Sequence, residues 1–156
     1  METAAIPFRL SAEQRSRQLS GFNFRKEIEW FGFEGTFEEP GLAVVRFKTL
    51  NEGVLGGGGT DAINGGVISA GFDAAFVLAG LAQYDVDVVV TLELSVQFLS
   101  LAKASSGLAF QAEVVRSAKN FCFVKGALLG DKDGNRMTFA LASGMVAPAG
   151  AHRSTP

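Results

Sequence analysis

From Asn64 to Leu81 the chain is apolar at almost every position, a stretch too uniform to offer a polar face to water. Asn64 is a favoured N-cap and Gln83-Tyr84-Asp85 a stop, so the pattern predicts one helix over about 64–81 enclosed by protein. Downstream the period changes to two. Val90, Leu92, Leu94, Val96 and Phe98 alternate with Thr91, Glu93, Ser95 and Gln97, which predicts one long strand. Leu108 to Arg116, Asn120 to Leu129 and Met137 to Val146 read as three further strands, with Asp131 to Asn135 as the hairpin turn between the last two. Upstream, Gly41 to Lys48 reads as a strand and the glycine-rich stretch 52–59 as a mobile loop. Residues 9–31 mix charged positions with Leu10, Leu19, Phe22, Phe24, Ile28 and Trp30, which predicts one or two short amphipathic helices broken at Gly21. A helix without a polar face, placed between a strand and an antiparallel meander, is best satisfied by a sheet wrapped around it: an α+β domain.

The one formal charge between Asp61 and Asp85 is Asp73. A carboxylate in so apolar a stretch must find partners or give up its charge, and groups treated that way are commonly functional. Asp73 is therefore the candidate chemical centre, against the alternative of a buried carboxylate capping a neighbouring backbone. Gly65, Gly66 and Gly71 would let backbone or ligand approach the helix closely.

Composition narrows the field. Hydrophobic residues make up 47% of the 156 positions and charged residues 19%, enough for one domain with a core and with apolar surface left for a subunit interface. The net charge is -2 and the Lys and Arg residues are scattered, so no nucleic-acid footprint is expected. Cys122 is the only cysteine, which excludes an internal disulfide and a cysteine-based zinc site, and His152 is too isolated for a triad or a metal set. With no signal-like leader and no apolar run of spanning length, a cytoplasmic protein without membrane association is expected. The glycine run at 56–59 lacks the Gly-Lys-Ser/Thr ending of a phosphate loop. The expected division is 1–40 as a helical or irregular N-terminal extension, 41–147 as the body of the same domain, and 148–156 as a disordered tail.

Ile63-Asn64-Gly65-Gly66 followed by Phe72-Asp73 resembles the His-Gly-Gly, spacer, Asp signature of hotdog-fold thioesterases, in the branch of phenylacetyl-CoA and medium-to-long acyl-CoA thioesterases, with Asn in place of His. The segment Ser95 to Lys103 is similar to that family's strand ending in an aromatic, Ser-Pro and a basic residue. The resemblance spans roughly Gly41 to Val146. It implies a hotdog fold, an antiparallel sheet around one long central helix, and hydrolysis of an acyl-CoA thioester. No cofactor is implied beyond the CoA carried by the substrate. Asp73 is the implied carboxylate, and the backbone N–H of Gly65 or Gly66 the group that polarises the carbonyl. Thr91 falls where the family places a Ser or Thr that helps hold water near the carboxylate. Gly58 stands where relatives commonly carry Asn or Gln, so either Asp61 or Asn64 supplies that polar contact or it is missing. Lys103, Arg116 and Lys119 stand at strand ends where CoA phosphates would bind, although each is also an ordinary surface charge. Phe22, Phe24 and Phe72 are candidates for an acyl pocket, and Trp30 for the core.

Asn64 and Asp73 are nine residues apart, roughly 13 Å along a helix axis and on opposite faces. One carbonyl cannot touch both ends of one helix. If both act, a second copy must bring its helix N-terminus to the first copy's Asp73, which predicts a homodimer, with a dimer of dimers as a further possibility. Such an N-terminus suits an oxyanion because its first N–H groups lack intrahelical acceptors. The competing reading is a non-catalytic acyl-CoA or fatty-acid binding module, and a hotdog hydratase ranks third because no Asp and His pair can be assembled.

Overall fold

The structure is a computed structural model that describes residues 5–56 and 61–150. The chain opens with α1 (Ala12–Asn23) and α2 (Lys26–Phe31), followed by strands β1 (Phe33–Glu38) and β2 (Leu42–Phe47). Next comes the long helix α3 (Gly65–Leu81), then β3 (Val88–Phe98), β4 (Ala109–Ser117), β5 (Cys122–Lys132) and β6 (Asn135–Ala149). The strands form one antiparallel sheet in the order β1-β2-β4-β5-β6-β3, curled around α3.

Local chemistry accounts for most of these boundaries. Ser11 and Gln14 form a reciprocal capping box that starts α1. Gly21 does not break that helix as expected; the break falls at Phe24 and Arg25. Phe22 is buried, and the Asn23 side chain pairs with both backbone groups of Gly35 in β1, so tertiary contacts carry the helix past the glycine. Asn64 accepts from the Gly66 N–H at 2.8 Å and caps α3 at the position the sequence indicates. At the far end of α3, the buried Gln18 amide of α1 lies 3.2, 3.0 and 2.9 Å from the carbonyls of Leu81, Tyr84 and Val86, and so ties α1 to the end of the helix and the segment after it. The β5–β6 hairpin turns through Asp133 and Gly134, both at positive φ as a two-residue primed turn requires.

Three further expectations change. β1 lies within residues 33–40, read as irregular, and forms one edge of the sheet, so the sheet begins before residue 41. Its interruption by Gly35 hides it from a propensity reading. A side chain at Gly35 would strike Leu78 and Phe22, so the glycine is there for packing. Pro148 and Ala149, expected in a disordered tail, pair with Val89 and Val88 in β6. Trp30 is 75% exposed rather than part of the core.

The core is aromatic around α3: Phe72, Phe76, Phe110 and Phe139 are fully buried. Gly71 is the contact point, since a Cβ there would lie 2.2 Å from the Phe110 ring. No helix among the described residues is long and apolar enough to cross a membrane.

Candidate active site

Asp73 sits in the middle of α3, half-buried, and its Oδ1 accepts a 2.6 Å hydrogen bond from the Thr91 hydroxyl of β3. The carboxylate thus finds a partner across the fold, and its second oxygen has no protein donor among the described residues. A β-bulge produces this contact. Against β6 the register slips between Thr91 and Glu93, leaving Leu92 as an extra residue. The simple alternation expected from Val90 to Phe98 therefore fails. Val89 and Thr91 meet α3 before the bulge, whereas Leu94, Val96 and Phe98 meet the core or the start of α3 after it. Val90 and Leu92 remain exposed on an edge strand whose outer side is unpaired.

Asp73 and Thr91 line a cavity of about 320 Å³ between α3, β3 and the N-terminal helices. Its apolar wall includes Phe22, Ile28, Phe31, Phe33, Ala74 and Val77. Of the three phenylalanines expected to line an acyl pocket, only Phe22 lines this cavity. Phe24 is 84% exposed and outside this cavity, and Phe72 is sealed among Phe76 and Phe110.

The N-terminus of α3 is the exposed end of an otherwise buried helix. Asn64 occupies the Gly66 N–H, which leaves the Gly65 N–H as the one of the two glycine donors without an acceptor among the described residues. The nearest side-chain atom to a Cβ on Gly65 would be Phe98 at 3.6 Å, so this end is sterically open. Asp61 lends its carbonyl to the Ala104 N–H, and Gly58 lies outside the described residues.

The basic residues divide between the two ends of the helix. The Ala102 carbonyl accepts from the Ile63 N–H, and Lys103 bridges Ala62, which places Lys103 beside the start of α3. Arg116 and Lys119 flank the β4–β5 turn, which Tyr84 ties to the other end of α3 by donating to the Ala118 carbonyl at 2.6 Å. Burial, reinforced by neighbouring Cys122, pushes Tyr84 up to about 12, and burial pushes the Cys122 thiol up to about 11. Among the described residues no group of three His, Cys, Asp or Glu side chains is placed to hold a metal ion, and His152 lies outside them.

With this geometry in view, residues 61–135 match the family model of the thioesterase superfamily. The fold is the hotdog fold, and residues 61–135 are similar to the thioesterase superfamily. The hotdog architecture recurs in the PaaI protein of the phenylacetic acid degradation operon of E. coli (TM-score 0.74, 21% identity, 91% of this chain and 99% of that one covered). A thioesterase family protein from Silicibacter pomeroyi is similar too (TM-score 0.72, 19% identity, 85% and 96% covered). Zebrafish thioesterase superfamily member 2 gives a TM-score of 0.68 at 14% identity, with 90% and 99% covered. At these identities the likeness shows the fold. A search of curated proteins returns no significant match.

Within the hotdog domain the structure brings together Asp73 and Thr91, and it holds Asn64, Gly65 and Gly66 at the helix start, away from them. Sequence reasoning missed the contribution of α2 and β1 to the cavity, namely Ile28, Phe31 and Phe33. The available signal was the apolar spacing within Ile28, Phe31 and Phe33 just before a strand, which is too short to separate wall from core. The match of residues 61–135 to the thioesterase superfamily supports thioester hydrolysis as the class of chemistry.

Proposed function

We propose that the chain hydrolyses acyl-CoA thioesters to the free acid and CoA, at sites shared between the two subunits of a homodimer. The observation that carries this reading is the Asp73 carboxylate, held by Thr91 in a cavity with one apolar wall beside the edge strand β3. The acyl group enters the cavity. Asp73 either draws a proton from water as the water attacks the carbonyl carbon, or attacks that carbon itself and is freed by water afterwards. In both routes the C–S bond breaks, the thiolate of CoA leaves and takes up a proton, and the carboxylic acid is released. Thr91 is the positioning residue that fixes the carboxylate.

Negative charge developing on the carbonyl oxygen calls for a donor, and the open Gly65 N–H at the positive end of α3 is suited to that task. Asn64 holds the turn by occupying the Gly66 N–H, so Gly65 takes the polarising role. The roughly 13 Å between the start of α3 and Asp73 means that the donor comes from a second copy. Two features favour that copy: β3 is an eleven-residue edge strand, and Val88, Val90, Leu92 and Phe98 on it are exposed. Long apolar edges of this kind attract another strand unless they are blunted. Lys103 then lies by the incoming helix start as a contact for CoA phosphate, and Arg116 and Lys119 join it only from the other chain. Exposed Phe123 and Leu141 on the sheet offer a patch where two dimers would meet.

Thiol release across acyl-CoAs of graded length tests the activity, with sedimentation at several concentrations to test the dimer. Turnover should be present and should vanish in Asp73→Asn with the fold retained. Undiminished turnover in that variant removes Asp73 from the mechanism. Saturable binding without multiple turnover would establish a binding module instead, the reading favoured by Asn64 acting as a cap.

A further inference from the structure

The wall of the Asp73 cavity is uneven in a way that bears on substrate choice, and the following inference rests on the thioester reading. Phe33 is locked by three rings: Phe31 stacked at 5.3 Å, Phe47 at 5.2 Å and Phe110 at 6.0 Å. Phe22 and Ile28, which line the same cavity, are buried. Phe31 is different. It is half-buried, has one ring partner, and ends α2 just before Gly32. Gly32 has a left-handed φ of 74°, and a side chain there would strike the Thr49 carbonyl, so the backbone at this corner is fixed and presents a Phe31 ring that is only partly buried.

Phe31 also lines a second cavity, of about 370 Å³, bounded by Trp30, Asn51, Gly53 and Val54 and predominantly apolar. One residue thus borders both spaces. At about 30 Å³ for each small group, the first cavity holds on the order of ten heavy atoms. We infer that Phe31 is the specificity-determining end wall: it restricts the Asp73 site to aryl or medium-chain acyl groups of about ten heavy atoms, and its removal joins the second cavity to the first. Longer tails are excluded because they meet the Phe31 ring, and Trp30, exposed but apolar, roofs the space into which they would otherwise run.

The test compares wild type, Phe31→Ala and Phe31→Trp for kcat/KM on saturated acyl-CoAs from four to sixteen carbons. The same proteins are titrated calorimetrically with octanoate and hexadecanoate. Wild type should peak at or below about ten carbons. In Phe31→Ala the ratio of long-chain to medium-chain kcat/KM should rise by about tenfold or more, because a few methylenes gained in an apolar pocket discriminate on that scale. Phe31→Trp should move the optimum toward shorter chains. The calorimetric preference should shift in the same directions. An unchanged length profile in folded Phe31→Ala and Phe31→Trp overturns the inference. A shift in fatty-acid preference with no thiol release from any acyl-CoA keeps Phe31 as the end wall and overturns the hydrolase reading instead.

Discussion

Replacing Thr91 by Val probes the contact on which the proposed chemistry turns. The substitution keeps a β-branched side chain in β3 and removes only the hydroxyl that donates to Asp73 Oδ1 at 2.6 Å. A hydrogen bond to a charged acceptor contributes about 1.5–3 kcal/mol, and short O–H to carboxylate bonds belong to the stronger kind. At about 1.4 kcal/mol per factor of ten, losing it should slow kcat by about 10- to 150-fold. KM should stay within about threefold, because the hydroxyl is engaged by Asp73 and Val keeps the rest of the Thr91 contribution to the cavity lining. Thr91→Ser restores the donor and should recover most of the rate, which separates positioning of the carboxylate from simple packing. The assay is steady-state thiol release on the best acyl-CoA, with circular dichroism to check the fold. A Thr91→Val enzyme within threefold of wild type, or a Ser variant as slow as the Val one, would refute the reasoning.

Other perturbations address the frame around the site. Gly71→Ala places a Cβ 2.2 Å from the Phe110 ring, itself wedged against Phe33, Phe47 and Phe72. The roughly 1 kcal/mol gained in helix propensity should be outweighed by overpacking, with a net loss of about 1–3 kcal/mol and a lower Tm by calorimetry. A Tm at or above wild type would mean that the ring can retreat. Leu92→Lys adds charge to the exposed edge of β3 and should convert a concentration-dependent dimer to monomer by sedimentation, with thiol release falling in parallel; full activity in a monomer would rule out the shared site. Stability should be insensitive to Tyr84 and Cys122 through neutral pH and fall above about pH 9. The folded state holds their protons up to about 12 and about 11, whereas the unfolded chain releases them near 10 and 9. The unfolded chain then binds fewer protons, so each group lowers unfolding free energy by up to about 1.4 kcal/mol per pH unit in its window. Chemical denaturation at graded alkaline pH reads this directly, and a Cys122→Ala, Tyr84→Phe protein should show a shallower decline.

The central helix was legible because every force on it acts in one direction. Asn64 as cap, the absence of a polar face and the turn after Leu81 specify the same segment, and the structure places α3 over Gly65–Leu81. The meander was legible for a similar reason, since Asp133-Gly134 supplies the backbone that its hairpin demands. β1 was not, because Gly35 looks like a strand breaker until Phe22 and Leu78 are seen occupying the room a side chain would take. Gly21 misled in the opposite sense. It looks like a helix end, but nothing lies within 4 Å of where its Cβ would be, and the stop is set further on by Asn23 and the burial of Phe22.

The site shows the same division between local and long-range causes. Asp73 stands out in sequence because its neighbours are apolar, and Thr91 entered through resemblance, yet period-two counting turns the wrong face of β3 toward the helix. Leu92 is the reason. One extra residue in the ladder inverts the alternation, so Thr91, polar and formally on the outward row, is delivered to the carboxylate, while Val90 and Leu92 are left exposed at the edge. A bulge depends on the partner strand and has no signature in β3 alone. The same residue that aligns Thr91 with Asp73 therefore also exposes the apolar edge, which ties assembly of the proposed dimer to the geometry of the carboxylate it would complete.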